Sequence, residues 1–172
     1  MQDLFRAMVE RWRKVSRLAG VIAEDHHLAN RHCGAGYLAR IGTPQRFAMF
    51  EDRGRGSTAC HLSDRAVLTA SEAVQQDIAK GCDLVILSKF GRLEAAGKGL
   101  RGAFAAAIEN SIPLLSSLSP AVAEKWTRFA GPQFETLRAD AAEIDAWVRA
   151  VLSSVLRGEA ERAVDGEVSR SG

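Results

Sequence analysis

The chain has 172 residues, with 23 basic against 21 acidic side chains for a formal charge of +2, and 47% of it is hydrophobic. That length and balance fit a globular domain with a real core, and the near-neutral charge excludes binding of nucleic acid by bulk charge, so any anion site must be local. No apolar run reaches the roughly 18 to 20 residues a membrane helix needs, and Cys33, Cys60 and Cys82 form no Cys-x-x-Cys pair, so reduced thiols in a cytoplasmic protein are expected.

Leu4, Phe5, Met8, Val9, Trp12 and Val15 recur at steps of three and four, which predicts an amphipathic helix. Leu18 to Ala23 (LAGVIA) is short and apolar, as a buried parallel strand is. Residues 24–36 (EDHHLANRHCGAG) are polar and without period, and read as a loop. Tyr37 to Ile41 and Arg46 to Phe50 flank GTPQ and predict a hairpin, after which EDRGRGSTA forms a second loop.

Ser63 is an N-cap candidate for a helix running through Ile78 and Ala79 to a stop at Gly81. Leu84 to Leu87 follows as a strand that stops at Ser88-Lys89 and turns through Phe90-Gly91. Leu100, Phe104, Ala107 and Ile108 then repeat with helical spacing, and Ile112 to Leu115 predicts a further strand. Ala121 to Phe129 reads as a short helix broken by Gly131-Pro132. A last helix over about 139–156 places Ile144, Trp147, Val148, Val151, Leu152 and Val155 on one side. Residues 1–157 are expected to form one domain, and 158–172 a mobile tail.

This alternation predicts an α/β fold, a mostly parallel sheet covered on both faces in three layers, with one β-hairpin. Ligands of such sheets bind beyond the carboxyl ends of the strands. The loops after Ala23, Leu87 and Leu115 should therefore share one rim.

Two constellations carry chemistry. Ser88, Lys89, Gly91, Arg92, Lys98 and Arg101 follow one strand end and could face an anion, with lysine as a point charge, arginine as a forked donor and glycine allowing close approach. The plainer reading is a solvated connection with a Glu94–Lys98 ion pair at a spacing of four. The loops hold Asp25, His26, His27, His32, Cys33, Cys60 and His61, of which His26, His32, Cys33 and Cys60 are the candidate metal or redox ligands. Their spacing matches no standard metal motif. Ser57, Ser88 and Ser116 lack the Gly-x-Ser-x-Gly elbow of a nucleophile. Trp12, Trp126 and Trp147 lie on apolar helical faces and suit the core or an interface. A homo-oligomer or protein partner could dock on an open sheet edge or on the first helix.

The stretches EDRGRGSTACHLSD, CDLVILSKFGRLEAAGKGLRGAFAAAIENSIPLLSSLS and KWTRFAG resemble the bacterial domain-of-unknown-function family 2478. That family is nucleoside-triphosphatase-like and distantly similar to the thermophilic archaeal P-loop nucleoside-triphosphatases, and some members are encoded beside molybdate-transport genes. In those enzymes the matching strand ends in an acidic pair that serves magnesium and the attacking water. Here Ser88-Lys89 stands in place of that pair, while Phe90-Gly91-Arg92-Leu93-Glu94 keeps the frame. The chain contains no Gly-x-x-x-x-Gly-Lys-Ser/Thr loop.

The resemblance therefore implies a P-loop-like fold without the first strand and phosphate loop. It implies a degenerate nucleotide or oxyanion binder with an accessory or regulatory role linked to molybdenum metabolism. An active nucleoside triphosphate hydrolase is the alternative, with Glu94 or Asp83 as its remaining carboxylates; a small metal or redox protein built on the histidine and cysteine loops is another.

Overall fold

The computed structural model describes residues 1–25, 36–51 and 61–168, and their side chains except at 50–51, 61–62 and 156–168. They fall into two compact units, divided after Glu135. The first unit holds helices α1 (Gln2–Trp12), α2 (Asp64–Ala79), α3 (Arg92–Ala95), α4 (Arg101–Glu109) and α5 (Ala123–Ala130). Its strands are β1 (Leu18–Glu24), β2 (Tyr37–Arg40), β3 (Arg46–Ala48), β4 (Phe50–Glu51), β5 (His61–Leu62), β6 (Leu84–Phe90) and β7 (Leu114–Leu118).

Five strands form one sheet in the order β3-β2-β1-β6-β7, while β4 and β5 pair separately. β1, β6 and β7 are mutually parallel, and β2 lies antiparallel between β1 and β3. Four of the five strands thus point one way, which is the mostly parallel three-layer α/β sheet with a hairpin that the pattern predicts. The carboxyl ends of β1, β6 and β7 share one rim.

Alternation along the strands sorts the core. Ala19 and Val21 of β1 and Val85 and Leu87 of β6 pack with Val67, Ala70 and Val74 of α2 and Ala103, Phe104 and Ala107 of α4. Ile22, Leu84 and Ile86 are buried outside that cluster, as are Phe5, Met8 and Val9 of α1, which runs along β1 and β6. The Ser63 hydroxyl caps α2 by accepting from Ala66 N–H at 3.4 Å. Gly20 has φ +132°, and a Cβ there would lie 1.9 Å from the Ile86 carbonyl oxygen, so β1 and β6 approach closely only because residue 20 has no side chain.

Several expectations are corrected. Val15 is 70% exposed, because α1 ends at Trp12. β6 does not stop at Ser88-Lys89: it continues to Phe90, which is buried, and the turn begins at Gly91. The helical spacing that starts at Leu100 is borne out as α4, and a short helix that the pattern did not predict, α3, precedes it across Gly97 and Gly99, both at positive φ. Ile108 is exposed. β7 starts two residues late and runs through Ser116 and Ser117 to Leu118, and a 3₁₀ turn over Pro120–Val122 leads into α5.

The second unit contains α6 (Ala141–Val168), whose backbone extends well past the expected end near 156. Asp140 starts it, its carboxylate accepting from Ala142 N–H at 3.1 Å and Glu143 N–H at 2.9 Å. Ile144, Val148 and Leu152 form a buried stripe at four-residue spacing. Trp147, Val151 and Val155 are only partly buried.

Candidate functional site

The carboxyl end of β6 is built by a turn that supplies its own anion. Gly91 stands at the N-cap of α3 with no side chain to cap it, and Glu94, three residues on, folds back. One Glu94 carboxylate oxygen accepts from Gly91 N–H at 2.9 Å and the other from Leu100 N–H at 3.0 Å. Glu94 is only 6% exposed. Gly99 makes room for it: at φ +63°, a Cβ on this residue would sit 2.3 Å from Glu94 Oε1. Glu94 is thus committed to two backbone amides, which is the work of a structural staple.

The same geometry removes the expected Glu94–Lys98 ion pair. α3 ends at Ala95, so a spacing of four no longer stacks the two side chains, and Lys98 instead makes a long, exposed contact with Asp64 at 3.6 Å. Arg101 is also engaged. Its guanidinium donates to the Glu94 carbonyl at 3.2 Å and lies 4.2 Å from the Phe129 ring centroid. Phe129 belongs to an aromatic cluster that closes the core over the strand end, where Phe90 meets Trp126 at 5.0 Å, Phe104 at 5.2 Å and Phe129 at 5.4 Å between centroids.

Lys89 and Arg92 differ from these neighbours. Both are exposed, and neither has a hydrogen bond or ion pair among the described residues. The Lys89 stem lies over Gly91, with Cε 3.7 Å from where a Cβ on that glycine would be. Ser88, one residue earlier, is 6% exposed, and its hydroxyl likewise has no partner among the described residues.

The Ser88 carbonyl gathers the rim together. It accepts from the Gln2 side chain at 3.0 Å and from the Ser117 hydroxyl at 2.7 Å, while Gln2 Oε1 accepts from Ala23 N–H at 3.0 Å. The ends of β1, β6 and β7 and the N-terminal turn of α1 therefore converge within hydrogen-bond reach. Helix N-termini carry partial positive charge, so α1 adds to Lys89 and Arg92. Its first-turn Asp3 is tied to Arg6 at 3.0 Å.

Asp83 lies at the other end of β6. Its carboxylate holds the Arg17 backbone N–H at 2.7 Å and the Arg17 guanidinium at 2.5 Å. Burial pushes the Asp83 carboxyl up, but the hydrogen bonds and charge of Arg17 outweigh this and hold it below the usual carboxylate range. It is remote from the rim and structural. Beside it, burial and then the charge of Asp83 push the half-buried Cys82 thiol up to about 11, which makes it a poor nucleophile. His26, His32, Cys33 and Cys60, the candidate metal ligands, lie outside the described residues, as do His27 and Ser57. Among the described residues, no group of three or more His, Cys, Asp or Glu is placed to hold a metal ion, and no helix is long and apolar enough to cross a membrane.

Residues 1–147 match the model of a family described as "Protein of unknown function (DUF2478)". The chain belongs to this family. Over 157 residues, 91% of its length, it is 36% identical to the "Molybdenum import ATP-binding protein ModC 2" of Bradyrhizobium diazoefficiens. The chain spans only 17% of that relative. No solved structure matches it. In this DUF2478 chain the rim lysine and arginine were legible from sequence at a strand end. Gln2 was not: a single glutamine at a helix start gives no signal. Glu94 as a staple had one, since Gly91 and Glu94 stand at the N-cap and N3 spacing of a capping box.

Proposed function

We propose that this protein binds a small anion, a nucleotide or an oxyanion, at the carboxyl ends of β1 and β6 without efficient hydrolysis, and that it serves an accessory or regulatory role in molybdenum metabolism. The observation that carries this reading is the division of labour at the end of β6. Lys89 and Arg92 are exposed and unpaired among the described residues, while Glu94, the one acidic residue between 88 and 101, is buried on two backbone amides. A strand end of that kind attracts negative charge. Among the described residues from 88 to 101 it offers magnesium no free carboxylate and an attacking water no base, which is what hydrolysis of a phosphoanhydride requires, and Glu24 at the end of β1 is held by Arg46 at 2.9 Å.

The backbone amides of the turn are not open to a ligand, because Glu94 occupies those of Gly91 and Leu100. Binding would rest on the two cationic side chains and on the positive end of α1. Such a site is shallow and screened by salt. The link to molybdenum is supported by the relative, in which a stretch like this chain makes up 17% of a longer protein whose name joins molybdenum import to ATP binding. A module joined in one chain to other segments in a relative commonly serves them as an accessory.

The test is a thermal-shift series with ATP, GTP, pyrophosphate and molybdate, run alongside phosphate release with and without magnesium. Stabilisation by at least one anion with no release above background is the expected result. Magnesium-dependent release at an enzymatic rate would overturn the non-hydrolysing reading, and an absence of stabilisation by every anion would overturn the binding site.

A further inference from the structure

In the order β3-β2-β1-β6-β7, the chain leaves β1 towards β2 on one side and leaves β6 towards β7 on the other. The carboxyl ends of β1 and β6 are therefore the switch point of the sheet, where connections diverge and leave a crevice. Paired positions along β1 and β6 run from Leu18↔Leu84 to Val21↔Leu87 and stop there, although β1 continues to Glu24 and β6 to Phe90. Along β1, Gly20 and Glu24 turn their carbonyls to the β2 side, accepting from Ile41 N–H at 3.0 Å and Gly36 N–H at 2.9 Å, so Ala23 faces β6. Carried on by one step, the parallel register would set the Ala23 N–H against the Ser88 carbonyl. These are the two groups that the Gln2 carboxamide occupies, accepting from the first and donating to the second, each at 3.0 Å.

We propose that Gln2 is a wedge: its carboxamide stands between two backbone groups that would otherwise bond each other, holds the β1–β6 crevice open, and pins the N-terminal turn of α1 beside it. This rests on the anion-binding reading above, for which Gln2 is a positioning residue. The wedge satisfies both backbone groups, so the sheet loses no hydrogen bonding by being parted. The crevice it keeps open ends one residue from Lys89. The Ser88 hydroxyl, 6% exposed and without a partner among the described residues, belongs to the same strand end. Closing the ladder would draw β1 onto β6, release α1 from Ser88, and take the helix's positive end away from the anion.

The experiment uses Gln2→Met, which keeps the length of the side chain and removes its hydrogen bonding, on the full chain. Two quantities are read: the hydrogen-bond scalar coupling between Ala23 nitrogen and the Ser88 carbonyl carbon, and the affinity for pyrophosphate without magnesium. The coupling is expected to be absent in the wild type and present in the variant, with affinity falling about tenfold. Gln2→Glu is expected to keep the Ala23 bond but lose the donor to Ser88 and weaken pyrophosphate binding at least as much, more so at low salt. Unchanged affinity in Gln2→Met, with binding still sensitive to Lys89→Ala, would overturn the wedge and leave the anion site standing. If the wild type binds no anion, the site falls and the positioning role with it. An Ala23 amide in the variant that exchanges freely, without coupling to Ser88, would overturn the wedge on structural grounds alone.

Discussion

Replacing Glu94 separates the structural account of this strand end from a catalytic one. Glu94→Ala strips acceptors from the Gly91 and Leu100 N–H groups, both at a site where the carboxylate is 6% exposed and water has little access. A hydrogen bond to a charged group contributes about 1.5–3 kcal/mol, and leaving a buried donor unsatisfied costs its desolvation. Two such bonds, with some relaxation of the loop, give a loss of about 3–5 kcal/mol. For a chain of this size each kcal/mol moves the melting temperature by roughly 2–4 °C, so a fall on the order of 6–20 °C is expected. Glu94→Gln keeps one good acceptor and turns its amide nitrogen towards the other N–H, so about half that loss should remain. The assay is urea and thermal denaturation followed by circular dichroism. If Glu94→Gln melted with the wild type and abolished a magnesium-dependent hydrolysis, Glu94 would be a catalytic carboxylate and the staple reading would be refuted.

Three further outcomes follow from neighbouring contacts. Gly99→Ala places a Cβ 2.3 Å from Glu94 Oε1 at φ +63°, so it should lose about 1–3 kcal/mol by denaturation, and much less in a Glu94→Ala background because the clash is with that side chain. Cys82, with its thiol raised to about 11, should alkylate more than tenfold slower at pH 8 in the folded protein than in urea, as read by peptide mass spectrometry. Because that folded value is raised, its contribution to stability is complete below the unfolded thiol value of about 8.5 and is lost as pH rises through the folded one. Asp83 shows the opposite sign: its lowered folded value gives stability that is present above the unfolded carboxyl value of about 3.9 and lost as pH falls through the folded one. Asp83→Asn should therefore be destabilising at pH 7 and should lose less stability than the wild type on acidification.

The regular elements were legible because their signals are local. Ser63 caps α2 where a serine before an apolar period predicts it, and LAGVIA forms β1 because a run buried on both faces needs no alternation. The end of β6 was misread because Ser88-Lys89 looks like the close of an apolar run. The strand continues because backbone pairing does not depend on side-chain polarity: Ser88 stays buried with its carbonyl bonded, Lys89 turns outward, and Phe90 returns to the core. α4 begins where the spacing from Leu100 predicts it, but the short α3 before it and the room that Gly99 leaves for the Glu94 carboxylate appear only in three dimensions. The convergence of Gln2 with Ala23 and Ser88 joins residues up to 86 apart in the chain, and no window of sequence contains it.

The central claim, that Lys89 and Arg92 hold an anion at the end of β6, is tested most directly by calorimetric titration of the Lys89→Ala/Arg92→Ala double variant. Pyrophosphate and molybdate would be titrated with and without magnesium, at low and at physiological salt. Two exposed cationic contacts contribute up to about 1 kcal/mol each, roughly a factor of five apiece. Binding to the wild type is predicted not to require magnesium, to weaken with salt, and to fall by on the order of twentyfold in the double variant. Equal affinity in the two proteins, or binding that appears only with magnesium, would contradict it.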